Sequence, residues 1–268
     1  MLKLLAISVV LLGACKKELP PPRNEFEAFE RKFVRQFQLL ANGMRARGEK
    51  VVDKEIPTKY RPVFVGHSGV YIDRTLVATL ADIDSKRAEL DAAIAANANI
   101  LPADGWDGMT ATFELGDEPA ARAVSALRLF AGRATGFYLA YEDAEFPHIV
   151  SHTLCRALTL RDSKAPDAGE RPQLSVLMNA SAIYVSASKL AEFVEIPDRD
   201  GNHNMKSLAL TLKDRKASAL FAERHDIELG VAGGTSKQVL GAIQTLCNEG
   251  FFDIALLPVD QLSAAPVL

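Results

Sequence analysis

Residues Asp226–Leu257 read DIELGVAGGTSKQVLGAIQTLCNEGFFDIALL, and they decide the fold because an earlier stretch, Thr112–Tyr141, repeats their plan. In both, a short strand ends in Glu-Leu-Gly, at Glu114-Leu115-Gly116 and Glu228-Leu229-Gly230. An apolar-periodic helix follows, and Gly136-Phe137-Tyr138 or Gly250-Phe251-Phe252 opens another strand. Both echoes fall at one offset, which marks a duplicated strand-helix-strand module.

Working outward, each copy is preceded by a strand-turn-strand. The first is Val63-Phe64-Val65, Gly66-His67-Ser68-Gly69, Val70-Tyr71-Ile72; the second is Val176-Leu177-Met178, Asn179-Ala180-Ser181-Ala182, Ile183-Tyr184-Val185. A helix then runs from about Asp84 to Asn97 in the first copy. In the second, the polar turn Asp198-Arg199-Asp200-Gly201-Asn202 leads into a helix near Met205–Phe221. The order β-β-α-β-α-β, twice, predicts an α+β or α/β two-layer sandwich: two tandem modules, each one sheet with two helices on one face. The β-like run His148–Leu160 is expected as an extra edge strand of the first copy, and the polar segment 162–172, with Pro166, Gly169 and Pro172, as the boundary. The expected domains are residues 62–161 and 173–262, with a frayed tail at 263–268.

At 268 residues, 48% apolar and 24% charged, the chain has the composition of a globular protein large enough for two small cores. Its start reads differently. A basic Met1-Leu2-Lys3, an apolar run Leu4–Leu12 too short to span a bilayer, and Leu12-Gly13-Ala14-Cys15 form a secretion signal over residues 1–14. The last four residues resemble the lipobox of bacterial lipoproteins, which implies lipid attachment at Cys15 and a membrane-anchored, periplasm-facing protein in the cell envelope, most simply on the outer membrane. Residues 15–23, with Pro20-Pro21-Pro22, read as an extended spacer. Residues 24–61 hold an amphipathic helix, capped by Asn24, with Phe26, Phe29, Phe33, Phe37, Leu40 and Met44 on one stripe, and a connector.

The formal charge of −3 includes no basic block, which argues against a nucleic-acid partner. Apart from Cys15, the cysteines are Cys155 and Cys247. An oxidising envelope permits one disulfide between them; two buried free thiols is the other reading.

The candidate chemistry is sparse. Gly66-His67-Ser68-Gly69 lacks the second glycine of a nucleophile elbow, since position 70 is Val70, and it leads into a strand. Gly230–Lys237 has the composition of a phosphate loop without its spacing, and Thr235 or Ser236 is better placed as a helix cap. His148 and His152 share a face but have no obvious third ligand. Asp198–Asn202 lacks the glycine placement and the twelfth-position Glu of a calcium loop, that position being Ala209. No catalytic residue, metal or cofactor is expected.

Over Leu174–Val259 the succession SVLMNASAIYVS, DGNHNMKSLALTLKDRK and FAERHDIELGVAGGTSKQVLGAIQTLCNEGFFDIALLP resembles the periplasmic domain of the ExbD/TolR family of biopolymer-transport proteins. The resemblance implies a non-enzymatic domain that dimerises and contacts peptidoglycan, a TonB- or TolA-like force-transmitting protein, or an ExbB/TolQ-like channel subunit. The chain departs from the family twice. A lipoprotein signal stands where the family has a transmembrane helix, and Gly233-Gly234-Thr235-Ser236 stands where it often has a Pro-Tyr pair. That loop is the expected place for this protein's own partner contacts. The alternative is a small-ligand-binding or hydrolytic lipoprotein using the cleft between the copies.

Overall fold

The computed structural model describes residues 20–31, 63–96, 109–142, 150–190 and 192–264, without the side chains of 109–110, 134–142, 150–157 and 192. The signal, Cys15 and most of the expected N-terminal helix lie outside the described residues.

Both halves follow one plan. The first contains β1 (Val63–Gly66), β2 (Gly69–Ile72), β3 (Thr75–Ala78), α2 (Arg87–Ala96), β4 (Met109–Glu114), α3 (Ala120–Arg128) and β5 (Ala134–Glu142). The second contains β7 (Leu174–Met178), β8 (Ala182–Ala187), β9 (Glu192–Pro197), α4 (Met205–Lys216), β10 (Asp226–Val231), α5 (Ser236–Asn248) and β11 (Asp253–Leu257). In each, the first strand pairs antiparallel with the second and parallel with the fourth, and the fourth pairs parallel with the fifth. Each half thus has one strand more than the expected order. The unforeseen β3 and β9 are the two edges of the sheet.

The run expected as an extra edge strand of the first copy does flank β5, and in the whole sheet it lies at the centre. β6 (Val150–Arg161) pairs antiparallel with β5 and parallel with β11, joining the halves into one 11-stranded sheet of order β3-β2-β1-β4-β5-β6-β11-β10-β7-β8-β9. Running outward from β6, each half presents its strands in the same order. The anticipated pair of separate cores is replaced by one apolar cluster that runs from Val63 and Phe113 through Leu158 to Leu229 and Leu256.

The inner strands are largely apolar on both sides because both faces of the sheet are covered there. β1, β2 and β7 are buried at every position, and α2 to α5 contribute Leu90, Ile94, Ala123, Leu127, Leu208, Leu212, Val239 and Ile243 to one face. On the other face, the described turns of α1 (residues 25–31) lay Phe26 and Phe29 over Phe64 and Tyr71. The Phe26 and Phe64 rings meet edge to face at 5.2 Å. Over the second half, Leu262 covers Leu177, Ala255 and Leu257.

Local chemistry fixes these docking points. Asn24 caps α1 by accepting from Glu27 N at 2.9 Å. Glu25 then accepts from the turn amides of His67 and Ser68, at 2.5 and 2.8 Å. A Cβ on Gly66 would stand 2.5 Å from that carboxylate and 2.6 Å from the buried Phe64 ring, so a larger residue there would have to displace both. Arg31 also donates to the Pro20 carbonyl.

The 162–172 segment is bonded to the second half: Arg224 donates to the Pro172 carbonyl, Lys189 donates to Gly169 O at 2.6 Å, and Arg171 lies 3.8 Å from Asp226. The tail is ordered at its start. Ser263 donates through its amide (2.6 Å) and hydroxyl (2.7 Å) to the buried carboxylate of Glu228, which also accepts from Ser175, and Ser186 donates to Ala264 O.

Candidate functional site

The residues that precede α3 and α5, Pro119 and Thr235, lie opposite each other in an antiparallel bridge at the centre of the helical layer. Ala120 N donates to Gly234 O (3.0 Å), Ser236 N to Glu118 O (2.6 Å) and Lys237 N to Gly116 O (2.8 Å). The Ser236 hydroxyl, fully buried, adds a bond to Pro119 O at 3.0 Å. Of the loop expected as the place for partner contacts, Gly234, Thr235 and Ser236 meet the first half of their own chain, and Gly233 lies against Ala180.

This arrangement also excludes a phosphate cradle. A helix N-terminus binds anions through free amides. Here the amides of Ser236 and Lys237 are taken by carbonyls of the first half, and that of Gln238 by the Thr235 hydroxyl at 3.3 Å. Gln238 Oε1 in turn accepts from Thr235 N, completing a capping box. Gly234 holds φ at +97°, and a Cβ there would come within 2.7 Å of Gln238 Oε1.

Behind this loop, Asp198 and His203 form a pair that sequence reasoning missed. Asp200 and Gly201 take positive φ in a tight turn closed by the Arg199–Asn202 bridge, which brings the flanking Asp198 and His203 together. His203 Nδ1 hydrogen-bonds the Asp198 carboxylate, and its side chain is wholly buried. Its Nε2 points toward Gly234 and has no hydrogen-bond partner among the described residues. Among the described residues no hydroxyl or thiol hydrogen-bonds this Nε2, so the pair is not joined there to the nucleophile of a triad. The turn signal at Asp200-Gly201 was the clue that could have found it.

Alongside the junction runs a groove of about 420 Å³ between α3 and the carboxyl ends of β10 and β11. Val124, Leu229, Val231 and Leu256 give it an apolar lining, and among the described residues Arg128 is the only charged one that lines it. This is an interhalf cleft, but without the several convergent polar groups that hydrolysis requires.

A second polar cluster lies at the opposite ends of these strands. Arg224 and Asp226, both nearly buried, pair through two guanidinium nitrogens, and Arg224 also donates to Gln173 Oε1 at 2.8 Å. Burial pushes the Asp226 carboxyl up, but the bonds from Arg224 and the charges of Arg224 and Arg171 outweigh it, leaving it below its ordinary value. Nearby, Arg161 of β6 pairs with Asp253 of β11 at 2.6 Å. The Lys216 ammonium, held below its usual range by burial, sits 4.6 Å above the Phe251 ring.

Cys247, on α5, is disulfide-bonded. The side chains of Cys155 and His152, together with His148, lie outside the described residues. Among the described residues there is no cluster of metal-ligand type, and no helix is long and apolar enough to cross a membrane. No protein-family model, curated protein or solved structure matches the chain.

Proposed function

We propose that this chain is a non-enzymatic, lipid-anchored envelope protein: a tandem pair of ExbD/TolR-like domains that builds within one chain the dimer such domains form from two. It would be held to the membrane at Cys15, and it would bind peptidoglycan or a Ton/Tol-type transport component. The observation that carries the reading is the shared strand order of the two halves about β6, together with the meeting of Pro119 and Thr235, the residues that open the corresponding helices. Equivalent surfaces meeting about one axis are what a symmetric dimer produces, and fusion of its subunits preserves the contact. The Cys247 disulfide agrees with an oxidising compartment.

The test is cross-linking of intact membranes followed by affinity capture of the chain, with co-sedimentation of the purified protein on isolated peptidoglycan. Recovery of cell-wall polymer, or of a TonB-, TolA- or ExbB/TolQ-like protein, is the expected result. Capture of neither rejects the reading. Metabolic labelling with a palmitate analogue should mark the wild type and not Cys15→Ser.

A further inference from the structure

The geometry points to a second binding activity, independent of the envelope role: the groove beside the junction is a site for a small carboxylate with an apolar tail. About 420 Å³ falls within the usual range of small-molecule pockets, and the lining is apolar except at one end. There stands Arg128, the last residue of α3. Its Nε is buried and has no hydrogen-bond partner, and Nη2 reaches only the Leu256 carbonyl, at a long 3.4 Å. No carboxylate pairs with it among the described residues, and none lines the groove. By contrast, Arg161 is matched by Asp253 and Arg224 by Asp226.

A guanidinium held against apolar surface with an unsatisfied N–H is costly on its own and favourable beside an anion. A carboxylate in the groove would pair with the outer, Nη end of the half-buried Arg128 through charge-assisted bonds, a planar match that a point-like cation does not offer. The tail of the same ligand would lie along Val124, Leu229 and Val231, exchanging water for apolar contact. Phosphate esters fit less well, because the free amides that would share their greater charge are already used at the α5 N-terminus. A nucleotide or sugar would find few hydrogen-bonding groups in this lining.

The experiment titrates the isotope-labelled, full mature chain with sodium decanoate below its micelle concentration, and in parallel with 1-decanol, following amide shifts by NMR. Saturable decanoate shifts centred on residues 120–128 and 229–234 are expected, with decanol binding at least about tenfold more weakly for want of the charge-assisted pair. Arg128→Gln should remove the preference for decanoate, and Arg128→Lys should restore only part of it. Val124→Trp, which fills the groove and leaves the charge in place, should block both probes. Equal binding of decanoate and decanol, unchanged affinity in Arg128→Gln with a native spectrum, or shifts confined elsewhere would overturn the proposal.

Discussion

At Asp226 two opposing effects have been resolved by placement. The side chain is nearly buried, which by itself would favour the neutral acid, yet Arg224 grips it and Arg171 adds its field, so the net displacement is downward. The sign of the pH dependence follows. With the folded value below the unfolded reference of 3.8, the carboxylate's stabilising contribution is complete above that pH and is lost as pH falls through the lower folded value. Acid titration of unfolding free energy should therefore show a limb below 3.8 that is absent in Asp226→Asn. At neutral pH that variant should be about 3 kcal/mol less stable, because it strands a buried guanidinium. Urea denaturation at pH 7 measures it, and a loss below about 0.5 kcal/mol, the size of an ordinary surface substitution, would mean that the pair is not buried in solution. Glu27 titrates lower for a different reason. The amide of Arg23 donates to it first, then the side chains of Arg31 and Arg23, and together they hold it at about 2 on an exposed surface. Carboxyl carbon NMR should place its midpoint well under that of an ordinary glutamate.

Among the elements, α1 is the clearest case of one held by specific contacts. Phe26 buries its ring on Phe64 and Tyr71, and Glu25 closes the β1–β2 turn. Phe26→Ala should cost about 3–5 kcal/mol if α1 belongs to the cooperative unit. If α1 merely rests on the sheet, the global transition will not move, and hydrogen exchange at Tyr71 will quicken instead. A second element-scale prediction concerns α5. It packs against β6, the strand that carries Cys155, so the bond at Cys247 should close there and tie helix to central strand. Thiol titration of the denatured, unreduced mature protein should then find no free thiol from this pair, and reduction should lower stability by about 2–4 kcal/mol. Two titratable thiols would refute the bond.

The elements also show what could be read from the residues alone. β1, β2, β7 and β8 were legible because strands covered on both faces are apolar along most of their length, here interrupted only by Ser175 and Ser186, and the Asn24 and Thr235 caps because their oxygens sit where the first free amides must be met. β3 and β9 were not. An edge strand has one partner and one covered face, so Leu76 and Phe193 stand 44% and 50% exposed and the alternation is blurred over four to six residues. The central place of β6 was illegible for another reason. Its pairing with β11 joins residues far apart in the chain, and no local pattern encodes a long-range parallel register. The same limit hid Arg128 and His203, whose surroundings come from other elements.

For the whole molecule, the repeated plan raises the question of whether the halves fold as two units or one. Two independent domains would each enclose a core, and their contact would resemble a modest, partly polar interface. Instead the apolar cluster is continuous across β6, whose Leu158 and Leu160 are fully buried. Thr159 N donates to Phe252 O at 2.8 Å, and Gly132 N to Leu160 O at 2.8 Å, so this strand is bonded to both halves at once. Removing either half would uncover the flank of β6 and expose an edge of the kind that invites aggregation. Unfolding should accordingly be a single transition, with the calorimetric enthalpy equal to the van't Hoff enthalpy. The sharper experiment is a protease site inserted between Ala165 and Pro166. A nicked chain should stay associated through gel filtration and unfold in one step, because the β6–β11 ladder, the Arg161–Asp253 pair and the Pro119–Thr235 bridge do not depend on continuity there. Two separated calorimetric peaks, or fragments that part under native conditions, would show that the long sheet is two sheets laid edge to edge, and the two halves would then be domains in the ordinary sense.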